Sequence, residues 1–250
     1  MKTLDLTIHG GNHELVTVEK LAEVATPAPE KTWYPIPHAR LLDSVRKTVE
    51  KSGLHVVTET HAIAKSGLRY FGMMQLANGK NPDDYSLVVG LRNSHDKSIV
   101  AGLAVGAGVH VCDNLSFSSD IVIDRKHTRN IERDLPTLIE SAVGRLGDAR
   151  RTQDERISVY KRTELPDAQA HDLVIQAYDA HIVPVTRIPE ILAEWRSPRH
   201  AEFREGRNAW RLFNAFTEGL KDSSLFQRPV ATQALHGLMD SACGLALAQN

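Results

Sequence analysis

Cysteine is nearly absent from this chain. Cys112 and Cys243 are its two thiols in 250 residues, too few and too far apart for a disulfide framework or a four-cysteine zinc site. Net charge is missing as well, with 30 Lys and Arg against 31 Asp and Glu. That balance excludes a whole-chain polycation built to grip nucleic acid. Together with an apolar fraction of 42% it also excludes intrinsic disorder. Long apolar runs are lacking too. The longest, Ile99 to Val109, is 11 residues and rich in Gly and Ala, whereas a membrane-spanning helix needs roughly 20. Asp5 and His9 interrupt the first residues, so no secretory signal is read there. No Walker loop, dinucleotide fingerprint, HExxH or nucleophile elbow occurs, which removes the commonest nucleotide-dependent and hydrolytic classes.

What is present is a change of period along the chain. Leu4, Leu6 and Ile8 alternate with polar residues and predict a short strand over 4–9. Pro27, Pro29, Pro35 and Pro37 make 26–37 an extended connector. Leu41, Leu42, Val45 and Val49 then share a helical face over 38–52, with Gly53 as its stop. From 54 to 123 the period is two, predicting strands at 54–63, 68–77, 85–94, 98–107 and 109–123 joined by short turns, an antiparallel meander. Beyond 128 the pattern is helical, with helices expected at 130–149, 150–162, 166–182, 187–196, 205–221 and 229–248. Strands followed by helices argue for an α+β fold, an antiparallel meander in the N-terminal half and a helical C-terminal half. The expected organisation is an N-terminal strand and Pro-rich connector over 1–36, then a single α+β domain over 37–250.

Four polar clusters carry the chemistry. Arg92 to Ser98 holds Asn93, Ser94, His95 and Asp96 at a hairpin tip; such residues suit a turn, and they also donate, accept and titrate. The second cluster is His110, Cys112, Asp113 and Asn114. A His and a Cys two apart in a strand face one side, but two ligands fall short of a zinc site. The third runs from Asp124 to Arg133. Between Arg125 and Arg162 there are ten Lys and Arg and six Asp and Glu. Arg125, Lys126, His127, Arg129 and Arg133, with Thr128, Asn130 and the first amides of a helix, suit either phosphate contacts or a solvated salt-bridged helix. In the fourth, Trp210, Phe213 and Phe216 form an aromatic helix face, with Asn214 and Thr217 beside it. The alternation of 98–112 also places Gly102, Ala104, Gly106 and Gly108 on one strand face, open to a packed helix or to a ligand.

These clusters, in this order, resemble the phage/plasmid-like protein family, a domain of unknown function (number 932). The resemblance rests on Asn93-Ser94-His95-Asp96, Val111-Cys112-Asp113-Asn114, Lys126-His127-Thr128 with Asn130-Ile131, and Ala209-Trp210 with Phe213-Asn214-Ala215-Phe216-Thr217-Glu218. Lys97 and Arg129 stand where the family commonly has Gly. The first suggests a different hairpin turn, because Lys tolerates positive φ poorly. The resemblance implies a place in phage, plasmid or mobile-element genomes, and thus the cytoplasm of a bacterial or phage-infected host cell. It supplies no activity.

The leading expectation is a non-enzymatic protein that binds nucleic acid, with single-stranded DNA as partner, through Arg125, Lys126, His127, Arg129 and Arg133. A second expectation is a metal-assisted hydrolase or nuclease that would place a divalent ion near His95, Asp96, His110 and His127; otherwise no cofactor or metal is predicted. A third is a self-assembling homo-oligomer built on exposed strand edges.

Overall fold

The computed structural model describes residues 13–77, 85–109, 115–221 and 228–245. The strand expected at 4–9 and the cluster of His110, Cys112, Asp113 and Asn114 lie outside them. Among the described residues six strands form one antiparallel sheet in chain order: β1 (His13–Val16), β2 (Val56–Ala64), β3 (Arg69–Leu76), β4 (Tyr85–Ser94), β5 (Ala101–Val109) and β6 (Leu115–Arg125). The helices are α1 (Val18–Ala22), α2 (His38–Lys51), α3 (Ile131–Gly144), α4 (Leu146–Arg162), α5 (Asp167–Asp179), α6 (Ile188–Arg196), α7 (Ala209–Gly219) and α8 (Arg228–Ala242). Meander followed by helices is the expected α+β order.

Side chains decide several boundaries. β5 begins at Ala101 rather than 98 because the Ser94 hydroxyl takes both polar groups of Ile99, donating to its carbonyl at 2.8 Å and accepting from its amide at 3.2 Å. Residues 98–100 therefore stay in the hairpin. The helix expected over 130–149 ends earlier, at Gly144, and α4 starts at Leu146 with Arg145 shared between them. α7 starts at Ala209 rather than 205 because the Asn208 side chain caps it, accepting from the Arg211 amide at 3.0 Å. Gly53, at φ 80°, closes α2 as its sequence implied.

The register divides the sheet into two faces. Ile63, Tyr70 and Asn93 are neighbours across β2, β3 and β4, and Leu91 and Leu103 across β4 and β5. The apolar members of this face share one hydrophobic core with Leu41, Leu42 and Val45 of α2, Ile131 and Leu135 of α3, Phe213 of α7 and Leu235 of α8. Leu21 of α1 and Ile36 of the connector belong to the same core. On the opposite face Ala62, Phe71, Arg92, Gly102 and Asp124 line up across five strands. A Cβ on Gly102 would stand 2.6 Å from Asp124 Oδ1 and 2.9 Å from Arg92 Nε. The small-residue track thus serves, at Gly102, as the floor under an ion pair spanning two strands, with Arg92 Nη2 donating to Asp124 Oδ1 at 2.6 Å and Oδ2 at 2.7 Å.

Candidate functional site

Four side chains from three parts of the chain meet on the helix-facing side of the sheet: His38 at the start of α2, Asn93 and His95 at the end of β4, and His127 after β6. Their exposures are 1%, 0%, 5% and 6%, so each polar atom needs a partner within the protein. His38 Nε2 lies 2.9 Å from the Gly67 carbonyl and must donate to it. In a neutral ring Nδ1 is then an acceptor, and Asn93 Nδ2 sits 2.9 Å from it. The second Asn93 amide proton goes to the Ile36 carbonyl at 3.0 Å. That leaves Asn93 Oδ1 to accept from His127 Nε2 at 2.7 Å. His95 Nε2 donates to the same Ile36 carbonyl at 2.9 Å, and its ring stacks on His38 with centroids 3.9 Å apart. These bonds leave no room for a proton on His38 Nδ1 and are compatible with three neutral rings, while His95 Nδ1 is buried without a hydrogen-bond partner.

The electrostatics agree with the geometry. Burial, with His95 as a neighbouring cation-to-be, holds both His38 and His127 down to about 4. His95 is lowered chiefly by burial, against the opposing pull of the Ile36 and Ala25 backbone and of Asp96. Asp96 itself is spent on the hairpin, taking Arg69 Nε at 2.7 Å and the backbone amide of Ser98 at 3.0 Å. Among the described residues no group of three or more His, Cys, Asp and Glu is placed to hold a metal ion. The Nε2 atoms of His95 and His127 already carry the protons that bind Ile36 and Asn93.

The surface above this cluster is basic. Tyr34 N donates to the His127 carbonyl at 3.0 Å, which lays the connector against the segment leading into α3. Trp33 sits beside His127 with ring centroids 6.3 Å apart. Lys97 Nζ lies 5.0 Å from the Trp33 ring centre and 2.6 Å from Glu30. Of the expected phosphate contacts, Arg125 and Arg133 both bond Asp134, at 2.5 and 2.8 Å. The Thr128 hydroxyl accepts from Arg125 at 3.3 Å, and Asn130 makes no side-chain cap. Lys126 and Arg129 are exposed and have no ion pair among the described residues. Arg133, 74% exposed, still reaches solvent.

The remaining expectations divide plainly. The clusters at 93–96 and 126–130 converge. Asn214 and Thr217 do not join them: the bonds of His38, Asn93, His95 and His127 reach neither side chain, and on α7 the Asn214 amide donates to the Trp210 carbonyl at 2.8 Å and the Thr217 hydroxyl to the Asn214 carbonyl at 3.0 Å. Lys97 has φ at 63°, the left-handed region that glycine favours, so this turn carries a lysine where a Cβ is costly. The ion pair with Glu30 and the Trp33 ring are what the lysine side chain meets there. Sequence reasoning missed His38, Trp33, Tyr34 and the Ile36 carbonyl. The signal was the spacing Pro35-Ile36-Pro37-His38, which fixes an extended backbone and leaves the Ile36 carbonyl without a local partner.

No curated protein and no solved structure matches the chain. The model of a domain of unknown function, DUF932, matches residues 28–240, a span that takes in the connector, the sheet and the helices. The chain belongs to the DUF932 family.

Proposed function

We propose that this protein binds nucleic acid, single-stranded DNA in particular, at the seam where the connector meets the segment between β6 and α3. The observation that supports it is the placing of Trp33 and Tyr34 against the His127 segment, next to the exposed cations Lys126 and Arg129. Aromatic rings beside unpaired cations are what a single strand uses, bases on the rings and phosphates on the charges. The near-neutral whole chain is no obstacle when the cations are local. The same reading accommodates a role in phage or plasmid DNA metabolism in a bacterial cytoplasm. A labelled oligo(dT) titrated at low salt tests it by fluorescence anisotropy. Binding in the micromolar range is expected, weakening steeply with salt. Lys126→Glu with Arg129→Glu should weaken it at least about tenfold, and Trp33→Ala should cost about 1–3 kcal/mol of binding. No binding at low salt rejects the reading, and so does binding that ignores both variants.

A further inference from the structure

The histidine cluster does more than fill space under this seam, because three of the bonds its residues make end on the connector. Asn93 and His95 both donate to the Ile36 carbonyl, His127 accepts from Tyr34 N through its own carbonyl, and His38 is the first residue of α2 immediately after the connector. We propose that the cluster is an acid-released latch: protonation of its rings frees the connector, residues 26–37, from the sheet while the helical half stays folded.

At His38 the geometry makes the neutral state a requirement rather than a preference. A proton added to His38 Nδ1 meets the Asn93 amide N–H 2.9 Å away, donor against donor, and the amide cannot turn over without losing the bonds to both Ile36 and His127. A charge on His38 also faces the His95 ring at 3.9 Å. Loss of one bond therefore propagates through Asn93 to His127, and to the Ile36 carbonyl that His95 shares, so the protons of His38 and His127 bind together. The groups facing the cluster offer little relief. Tyr70 from β3 lies 5.5 Å from the His38 ring and presents an aromatic face. Asp96 is engaged by Arg69 and Ser98, and Arg125 by Asp134. Lys126, the residue before His127, is exposed to solvent. Beyond Tyr70, His61 pairs with Glu59, which holds Arg46. The other ties on the connector are the exposed Lys97–Glu30 pair and the Ile36 side chain.

Rings released from the cluster regain an ordinary affinity for protons, near 6.5, whereas the latched rings of His38 and His127 hold theirs only near 4. Between those limits each coupled proton favours opening about tenfold per pH unit. Opening would carry Trp33 and Tyr34 away from the cations. Only that consequence depends on the nucleic-acid reading, so the test contains no nucleic acid.

The chain has three tryptophans, Trp33 in the connector and Trp195 and Trp210 among the buried residues of the helical half. Fluorine NMR on protein labelled with 5-fluorotryptophan reads them separately. Between pH 6.5 and 4 the Trp33 signal should shift in a step involving about two protons, with Trp195 and Trp210 unchanged. His127→Gln keeps a donor for Asn93 Oδ1 but cannot titrate, and should reduce the step to about one proton. Proton-carbon spectra of the imidazole rings in the unmodified chain give a second measure, in which His38 and His127 should titrate with the Trp33 shift. The proposal fails if Trp33 moves only together with Trp195 and Trp210. It fails equally if the rings titrate near 6.5 with Trp33 in place, or if His127→Gln leaves the step unaltered.

Discussion

Gly102 illustrates how much a missing side chain can decide. Arg92 and Asp124 stand on β4 and β6, two strands apart, and they touch only because β5 places hydrogen between them. The Gly and Ala track is visible in the sequence as a small-residue face. Its partners are not, because they are defined by register and the Arg92 and Asp124 positions are 32 residues apart. Gly102→Ala should push the pair apart and lower stability by about 1 kcal/mol. The cost should shrink by at least about half in an Asp124→Ala background, as expected when two changes share one contact. Urea unfolding of the four proteins checks it, and additive costs would mean that the glycine serves something else. Gly72 is tighter still, with Tyr70 Oη 2.2 Å from where its Cβ would be; there the buried phenol, not a surface pair, claims the space.

Elements long enough to show a period were legible. α2, with four apolar residues on one face, was placed to within a residue, and β3 and β4 nearly so. β1 and α1, four and five residues long, carry too little pattern to read, and the Thr17 cap that starts α1 became meaningful only with its bond from Lys20 N at 3.3 Å. The union of α4 and α8 was not legible at all. Arg156 on α4 meets Asp240 on α8 with three bonds of 3.0–3.1 Å, and the Tyr160 hydroxyl donates to the same carboxylate at 2.6 Å. Arg156 and Asp240 are buried, and nothing local in two amphipathic helices announces an ion pair across 84 residues. Removing one partner leaves a buried charge, so Asp240→Ala should cost about 3–5 kcal/mol, whereas replacing both Arg156 and Asp240 with Leu should cost clearly less. Chemical denaturation of the two variants measures the difference. A double variant as damaged as the single one would show that the pair does more than balance itself.

At the scale of the whole molecule, five buried histidines among the described residues are held below their ordinary range, mainly by burial: His38, His61, His95, His127 and His236. The unfolded chain takes up their protons near 6.5 and the folded one resists, so the unfolded state binds more protons as pH falls and stability falls with it. For His38 and His127 alone, whose folded values lie near 4, the loss between pH 7 and pH 5 should be on the order of 3 kcal/mol. Urea midpoints at the two pH values test this; equal midpoints would mean that the rings are charged in the native protein. Of the candidate site, the sequence singled out His95 and His127 and a basic surplus beginning at Arg125. It did not show that Asn93 joins His127 to His38, since convergence of β4, β6 and the connector depends on the sheet order and not on any local spacing.

The sheet order has a further consequence for synthesis. Each strand pairs with its neighbour in the chain, so β2 to β6 can assemble hairpin by hairpin as they leave the ribosome, closing only short loops, while β1 is held to β2 across α1, the connector and α2. α8, which packs on β6 at the sheet's far edge, is the last described element to be made. Until residue 228 has emerged, the nascent chain carries a finished sheet whose final strand still lacks that cover, and this is the interval in which a chaperone, or another nascent copy, has an edge to hold.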